Sequence, residues 1–392
     1  MRMRVAGVLS VIALLCLAPA ALAQSNTAGG LQGTLKAEKG GVIPGATVTV
    51  FSDVLITRQM SAMTDAHGVY RFPALPPGTY VIEAKFEGYK TVRQEDLKIR
   101  VGQMLGVDLV LPIAEVKEEV TVTGKAPLVS VVSNTVATNF SSDFIEKQPL
   151  PRNFYNIIQA APGVNFDYTG SSGSAMLAYG GTGERQNAYT IDGVNVADAA
   201  GGSHWILPSI QWMQEIEVGG LGANAEFGGY TGGIINGVLK SGGNQFHGDI
   251  EYYYQPASWA SSNTNVGELA VDKFKFSDLS LSLGGPVLQD RLWFFASGEL
   301  WHQVTSPLGA EDTSDRLIPR LLGKLTWQAN PSNKFSAMLE HDTVDHERRD
   351  ISATRLSSAS SHQKAPGTSV SLQWESLFSG NSFINVKLTG YD

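Results

Sequence analysis

Four stretches in the last third of the chain alternate between apolar and polar residues. Leu279, Leu281 and Leu283 interleave with Asp278, Ser280 and Ser282, and Phe335, Ala337 and Leu339 with Lys334, Ser336 and Glu340. Further on, Val370, Leu372 and Trp374 alternate with Ser371, Gln373 and Glu375, and Ile384, Val386 and Leu388 with Asn385, Lys387 and Thr389. A period of two puts the two sets on opposite faces of a strand, so each stretch predicts a β-strand with one greasy face. About seven strand candidates lie between Gln245 and Asp392. Segments of about ten residues with one apolar face suit a lipid-facing barrel wall, because roughly 9 to 11 tilted residues cross a bilayer. A soluble β-sandwich would show the same alternation. On the barrel reading Tyr252, Tyr254, Trp293, Phe294 and Trp301 are expected in aromatic girdles at the membrane interfaces.

Short alternating runs also fill residues 31–111, among them Ala46 to Val50, Val69 to Phe72 and Tyr80 to Ala84. Gly and Pro punctuate the gaps, as in Ile43-Pro44-Gly45 and Leu75-Pro76-Pro77-Gly78, which predicts a small β-sandwich. From Glu115 to about Gly243 glycines and small residues dominate. Repeated glycines let a backbone turn tightly and lie against other surfaces, which suits a compact domain packed inside something else. Pro149-Leu150-Pro151 and Ala161-Pro162-Gly163 bracket a short predicted helix from Asn153 to Ala160.

The N-terminus changes the setting. Arg2 and Arg4 precede an apolar run from Val5 to Ala20, and Ala21-Leu22-Ala23 has the small-x-small form of a signal-peptidase site, so a mature chain beginning at Gln24 is expected. The chain has one cysteine, Cys16, inside that run, which leaves the mature protein without a thiol for disulfides, metal or catalysis. Losing Arg2 and Arg4 takes the formal charge from −8 to about −10. With no Lys/Arg block along the chain, nucleic acid is not expected as a partner. No later stretch approaches the roughly 18 to 20 apolar residues of a spanning helix, so a membrane form would have to be a β-barrel.

Candidate chemistry is sparse. His67 lies in the turn Asp65-Ala66-His67-Gly68 with no second ligand near it. His346-Glu347-Arg348-Arg349-Asp350 approaches HExxH but has Asp350 where the second imidazole belongs. Gly180-Gly181-Thr182-Gly183 lacks the rest of a nucleotide fingerprint, and Ser171-Ser172-Gly173-Ser174 lacks the G-x-S-x-G spacing of a hydrolase. His341-Asp342-x-x-Asp345-His346 gathers two imidazoles and two carboxylates, which serve equally as a charged loop tip. The expectation is no catalytic residue, no metal and no cofactor.

Motifs are more telling than chemistry. Ile43 to Val48, Thr64-Asp65-x-x-Gly68-x-Tyr70-x-Phe72 and Leu75 to Tyr80 closely resemble the carboxypeptidase regulatory-like family, over about 80 residues. Glu119-Val120-Thr121-Val122-Thr123-Gly124 resembles the energy-coupling box of TonB-dependent receptors. Ile191-Asp192-Gly193-Val194-Asn195 resembles a signature of their plug domain. Glu226-Phe227-Gly228, then Gly232-Gly233-Ile234-Ile235-Asn236 and Lys240-Ser241-Gly242-Gly243, resembles the run that ends the plug. Gly284 to Phe295 resembles the first periplasmic hairpin of the Oar-like members, which also carry the regulatory-like domain in front of the plug. One departure stands out: where the family often has Arg-Gly-Pro after a Val-Glu-Val strand, this chain has Glu217-Val218-Gly219-Gly220-Leu221.

The resemblance implies a mainly β chain: a β-sandwich, then an α+β plug domain, then the first strands of an antiparallel transmembrane β-barrel. The expected boundaries are a signal peptide at 1–23, the sandwich at 28–113, the plug at 115–243 and barrel from 244 to 392. A plug of roughly 130 residues needs a barrel of about 22 strands, which at about 22 residues per strand would take roughly 480 residues. Only 152 follow Lys240, so the chain is expected to stop before the barrel closes. The box would offer its backbone edge to a partner strand, by β-augmentation. The resemblance gives that partner as a TonB-type energy-transducing protein in the periplasm, with an extracellular ligand of unknown identity and outer-membrane lipid as the other partners. Energy-coupled uptake across the outer membrane is the leading function. An outer-membrane adhesin or surface-assembly protein, whose sandwich binds polymer, stays open beside it; an exported hydrolase lacks the residues.

Overall fold

The computed structural model describes residues 27–55, 58–113, 136–148, 154–167, 175–181, 184–197, 206, 208–222, 228–259, 274–307, 309–379 and 382–392. The first eight strands are β1 (Gly29–Ala37), β2 (Thr47–Phe51), β3 (Gln59–Met63), β4 (Val69–Leu75), β5 (Gly78–Lys85), β6 (Val92–Ile99), β7 (Met104–Gly106) and β8 (Leu109–Leu111). They form two sheets, β4-β1-β7 with β8 also on β1, and β3-β2-β5-β6. The apolar phases of both sheets, including Leu31, Leu35, Val48, Phe72 and Ile82, meet between them. Two phenols close this core with their polar ends satisfied: Tyr70 Oη donates to the Val107 carbonyl (2.5 Å) and Tyr80 Oη to that of Pro76 (2.7 Å). His67 is an exposed turn residue. Asp65 Oδ1 accepts from the backbone N–H of His67 (2.8 Å) and Val69 (2.9 Å), which lowers the Asp65 pKa below its ordinary value.

The middle region comprises β9 (Val136–Ser141), α1 (Ser142–Lys147), α2 (Phe154–Ile158), β10 (Val164–Asp167), β11 (Ala175–Ala178), β12 (Ala188–Ile191), β13 (Val194–Asn195), β14 (Met213–Leu221) and β15 (Ile234–Leu239). Ser141 caps α1, accepting from the Phe144 N–H (3.4 Å). The helix expected between the two proline clusters is α2. Five strands form one sheet in the order β13-β12-β15-β14-β9, in which β12 and β15 are parallel. Ile145, Phe154, Ile158, Trp212, Ile216 and Ile235 fill its core.

The last seven strands are β16 (His247–Gln255), β17 (Phe274–Leu288), β18 (Leu292–Thr305), β19 (Ser314–Asn330), β20 (Asn333–Glu347), β21 (Gln363–Ser379) and β22 (Ser382–Tyr391). They form an antiparallel meander in sequence order, and among the described residues β16 and β22 are its two edges. Short turns join strands at one end, as at 288–292 and 330–333, and a longer connection at the other, as at 348–362. Leu281, Leu321, Leu339, Leu372 and Leu388 are exposed on the convex face, whereas Asp278, Ser280, Glu299, Arg320, Glu340 and Asp342 are buried on the concave face. This polarity is that of a barrel wall with an apolar outside, the opposite of a soluble sandwich.

Two expectations are corrected here. Trp293 and Trp301 do not belong to an outer girdle: both are buried on the inner face, Trp293 donating from Nε1 to Asn244 Oδ1 (2.8 Å) and Trp301 lying against the guanidinium of Arg316. Outward aromatics include Tyr252 and Tyr254, stacked together, Phe294 opposite the exposed Leu325, and a ladder of Trp327, Phe335 and Trp374 beside the short turns, with ring spacings of 5.3 and 6.3 Å. The residues of His341 to His346 do not face one another either, because strand alternation divides them. His341 and Asp345 face outward, to Thr368 and His362, while Asp342 and His346 face inward.

Candidate functional site

The site begins with a local turn. Asp192 (φ 48°) and Gly193 (φ 72°) both take left-handed conformations, joining β12 to β13 in a two-residue hairpin. Asp-Gly is the pair such a turn favours, since both central residues need positive φ. The Ile191-Asp192-Gly193-Val194 motif is therefore a hairpin, with Ile191 and Val194 paired in register and both buried.

The second motif lies beside the first. Parallel pairing sets Thr190 opposite Asn236 and Ile191 opposite Gly237. Gly232 and Gly233 lead into β15 where no side chain fits: a Cβ on Gly232 would stand 2.5 Å from Asn187 Oδ1, and one on Gly233 2.5 Å from the Ala178 Cβ. Asn187 Oδ1 accepts the Gly233 N–H (2.8 Å). Asn236 is fully buried, accepting from Thr190 Oγ1 (3.0 Å) and donating to Glu217 Oε2 (3.4 Å). Ile191, Asp192, Gly193, Val194, Gly232, Gly233 and Asn236 thus come together on the β12–β13 hairpin and on β15 with its lead-in, three neighbouring strands of one sheet. The box residues Glu119, Val120, Thr121, Val122 and Thr123 lie outside the described residues.

The hairpin tip meets the wall. Asp192 Oδ2 pairs with Lys324 Nζ of β19 at 2.5 Å, both side chains being about nine-tenths buried. Asp192 Oδ1 accepts the Leu239 N–H (3.0 Å), and its carbonyl accepts from Lys387 Nζ of β22 (2.9 Å). A buried ion pair offsets its desolvation only when further hydrogen bonds satisfy the remaining lone pairs, as they do here. The other contacts follow the same plan: Ser209 Oγ donates to Glu299 Oε1 (2.8 Å) and Trp212 Nε1 to Ser297 Oγ (2.9 Å). Phe295, Leu322 and Met338 of the wall join the apolar core of the inner sheet. Glu299 is also paired with Arg320.

Sequence reasoning missed Lys324 and the binding role of Lys387. The available signal was their phase, a cation on the polar side of an alternating strand. The departure has a local setting at each glycine: a Cβ on Gly220 would stand 2.8 Å from the Tyr179 ring, and one on Gly219 3.2 Å from the Ala137 Cβ of β9. At Gly220 the ring fills the place of any side chain.

Against the glycine-rich sheet, β6 and β7 are joined by a turn whose Val101 N–H donates to Glu215 Oε1 (3.2 Å), with Asn139 Nδ2 on the same oxygen at 2.5 Å. Burial pushes Glu215 up to about 7, opposed by these two donors and by the charge of Arg100. A cavity of about 590 Å³ lies between the sandwich loops, the hairpin tip and the short-turn end of the wall, lined in part by Asp53, Arg58, Asp192, Lys324, Lys334 and Glu375.

Comparison with known proteins agrees with this architecture. Residues 30–112 match the family model of the carboxypeptidase regulatory-like domain, 131–238 that of the TonB-dependent receptor plug domain, and 238–314 that of an outer membrane beta barrel domain. The TonB-dependent transporter Oar of Myxococcus xanthus is 31% identical over 267 residues, covering 62% of this chain and 25% of that protein. The ferrienterobactin receptor of Escherichia coli (strain K12) is 28% identical over 135 residues, 30% of this chain and 18% of that protein. The siderophore receptor PirA from Acinetobacter baumannii shares the fold with a TM-score of 0.50 at 19% identity, over 65% of this chain and 39% of that one. For the ferric enterobactin receptor of Pseudomonas aeruginosa the TM-score is 0.50 at 17% identity, over 65% of this chain and 40% of that one. The chain spans about a quarter or less of the length of these curated relatives.

Proposed function

We infer, from a chain that carries the regulatory-like sandwich, plug domain and barrel strands of an Oar-like TonB-dependent receptor, that it serves energy-coupled uptake of an extracellular ligand across the outer membrane. The observation that carries this reading is the hairpin tip of the plug bound to lysines of two wall strands, behind a wall whose apolar face points outward. A plug held by polar contacts can be moved without breaking covalent bonds, and the proposed activity needs no nucleophile, metal or cofactor. The apolar face meets outer-membrane lipid. On the same reading residues 1–23 are removed on export, and the remainder divides into 28–113, 115–243 and 244–392. Residues 119–123 are the segment offered to a TonB-type protein in the periplasm.

In-cell disulfide cross-linking tests this, using Val122→Cys in the full chain and a cysteine on the partner-binding strand of the host's TonB-type protein. A cross-link that requires residues 119–123 in their native order is expected. If no cross-link forms and cells lacking 119–123 keep the surface phenotype of the wild type, the adhesin reading replaces this one.

A further inference from the structure

The sandwich touches the plug through a turn that meets two neighbouring strands, β9 and β14. Between β6 and β7 the chain turns at Val101 and Gly102 (φ +69°), and this turn presses onto the face of β14 that carries Glu215 and Glu217. A Cβ on Gly102 would stand 2.7 Å from Glu217 Oε1, so the position needs glycine both for its backbone and for its closeness. Val101 is buried. Its N–H donates to Glu215 Oε1 (3.2 Å), and its carbonyl accepts from Asn139 Nδ2 at the long end of hydrogen-bond range (3.4 Å). Asn139 also donates to Glu215 Oε1 (2.5 Å). Every link of this triangle other than the Val101 N–H bond passes through Asn139.

Asn139 belongs to β9, which among the described residues is the edge of the plug sheet and pairs only with β14 in it. Edge strands are the elements of a sheet that come away at least cost, because one ladder rather than two must open. In chain order β9 is also the first described strand after the sandwich.

We propose that β9 is a release strap for the sandwich: displacing β9 from β14 withdraws Asn139 from beneath the β6–β7 turn, and the sandwich undocks from the plug in the same step. The inference rests on the reading that force reaches the plug through the segment before β9. With Asn139 gone the Glu215 carboxylate keeps a single donor in a buried place, beside Glu217 on its own strand and facing Arg100 of the turn, so the docked state loses stability. The consequence is an opening of the short-turn mouth of the barrel, where the sandwich and the wall enclose the cavity of about 590 Å³.

The test uses the full chain in lipid vesicles, with spin labels at Lys39→Cys in the sandwich and Ser332→Cys in the turn between β19 and β20, both exposed. Wild type is expected to give one narrow distance. Asn139→Ala and, from the sandwich side, Gly102→Val should each reduce the docked population several-fold while β9 stays protected from hydrogen exchange. For coupling, a handle attached at position 136 is pulled, with and without a disulfide between Ala137→Cys and Gly219→Cys, paired residues whose Cβ atoms would lie 3.2 Å apart, so that the two strands must ease by a few tenths of an ångström to reach ordinary disulfide spacing. Separation of the sandwich in the step that extends β9, abolished by the disulfide, supports the strap. Extension of β9 with the sandwich still docked, or a docked population unchanged by Asn139→Ala, overturns it. Neither outcome depends on the cross-link to the TonB-type protein, so the two readings fail separately.

Discussion

The sandwich and the barrel wall are written in the same period-two pattern and fold with opposite polarity. In the sandwich Leu31, Val48 and Phe72 are buried. In the wall the equivalent apolar phase, Leu281, Leu339 and Leu372, is exposed, and Glu299, Arg320 and Glu340 are buried instead. The difference teaches that alternation encodes a strand with two unlike faces, while the surroundings decide which face is hidden. In the sandwich two sheets hide their apolar faces from water by meeting. In the wall the plug supplies polar partners on the inside, such as Ser209 for Glu299 and Asp192 for Lys324.

The sharpest way to break this comparison is to truncate a large side chain in the sandwich core. Phe72→Ala should cost about 3 to 5 kcal/mol of sandwich stability, measured by urea unfolding followed by proteolysis at that domain, because the cavity has no solvent to fill it well. Lys324→Met should cost up to about 3 to 5 kcal/mol in the plug–wall contact, since it leaves the Asp192 carboxylate buried without its charge partner; Lys387 on the neighbouring carbonyl holds the loss to the lower end. Hydrogen exchange at the Asp192–Gly193 hairpin would report it, and an unchanged hairpin would show that the ion pair contributes nothing. Leu339→Arg on the convex face should cost up to about 2 to 4 kcal/mol in lipid vesicles, the figure for a charge at the bilayer midplane. The same charge at Met63, exposed on the sandwich, should be within about 0.5 kcal/mol of neutral. Equal effects at the two positions would mean that the wall faces water.

The smallest expected effect is on pH dependence. Burial raises Glu215 from 4.5 to about 7. A raised value means that the docked state binds the proton more tightly, so this contribution is full below about 4.5 and is lost as pH rises through about 7. The docked population of the spin-labelled chain should fall across that window, and Glu215→Gln should flatten the profile. A profile that rises with pH would show that the carboxylate donors at Asn139 and Val101 outweigh burial.

Much of the fold was legible because its signals are local. The Asp192-Gly193 pair specifies a hairpin through the left-handed conformations of two residues, and the proline clusters around residues 149–163 bracket α2. Trp293 and Trp301 were misplaced because an aromatic near a strand end suits either face, and only the inward partners Asn244 and Arg316 distinguish them. His341 to His346 looked like one cluster because spacing along the chain ignores the alternation of side chains across a strand.

By itself the sequence determined where strands lie, which residues share a face and where the chain turns. Tertiary structure alone decided which face is hidden and which distant residues meet. Lys387 reaches Asp192 across 195 residues of chain, and Asn139 reaches Val101 across two domains. The physical reason is that backbone preferences act over a few residues, whereas burial and charge pairing depend on what else the fold brings within a few ångströms.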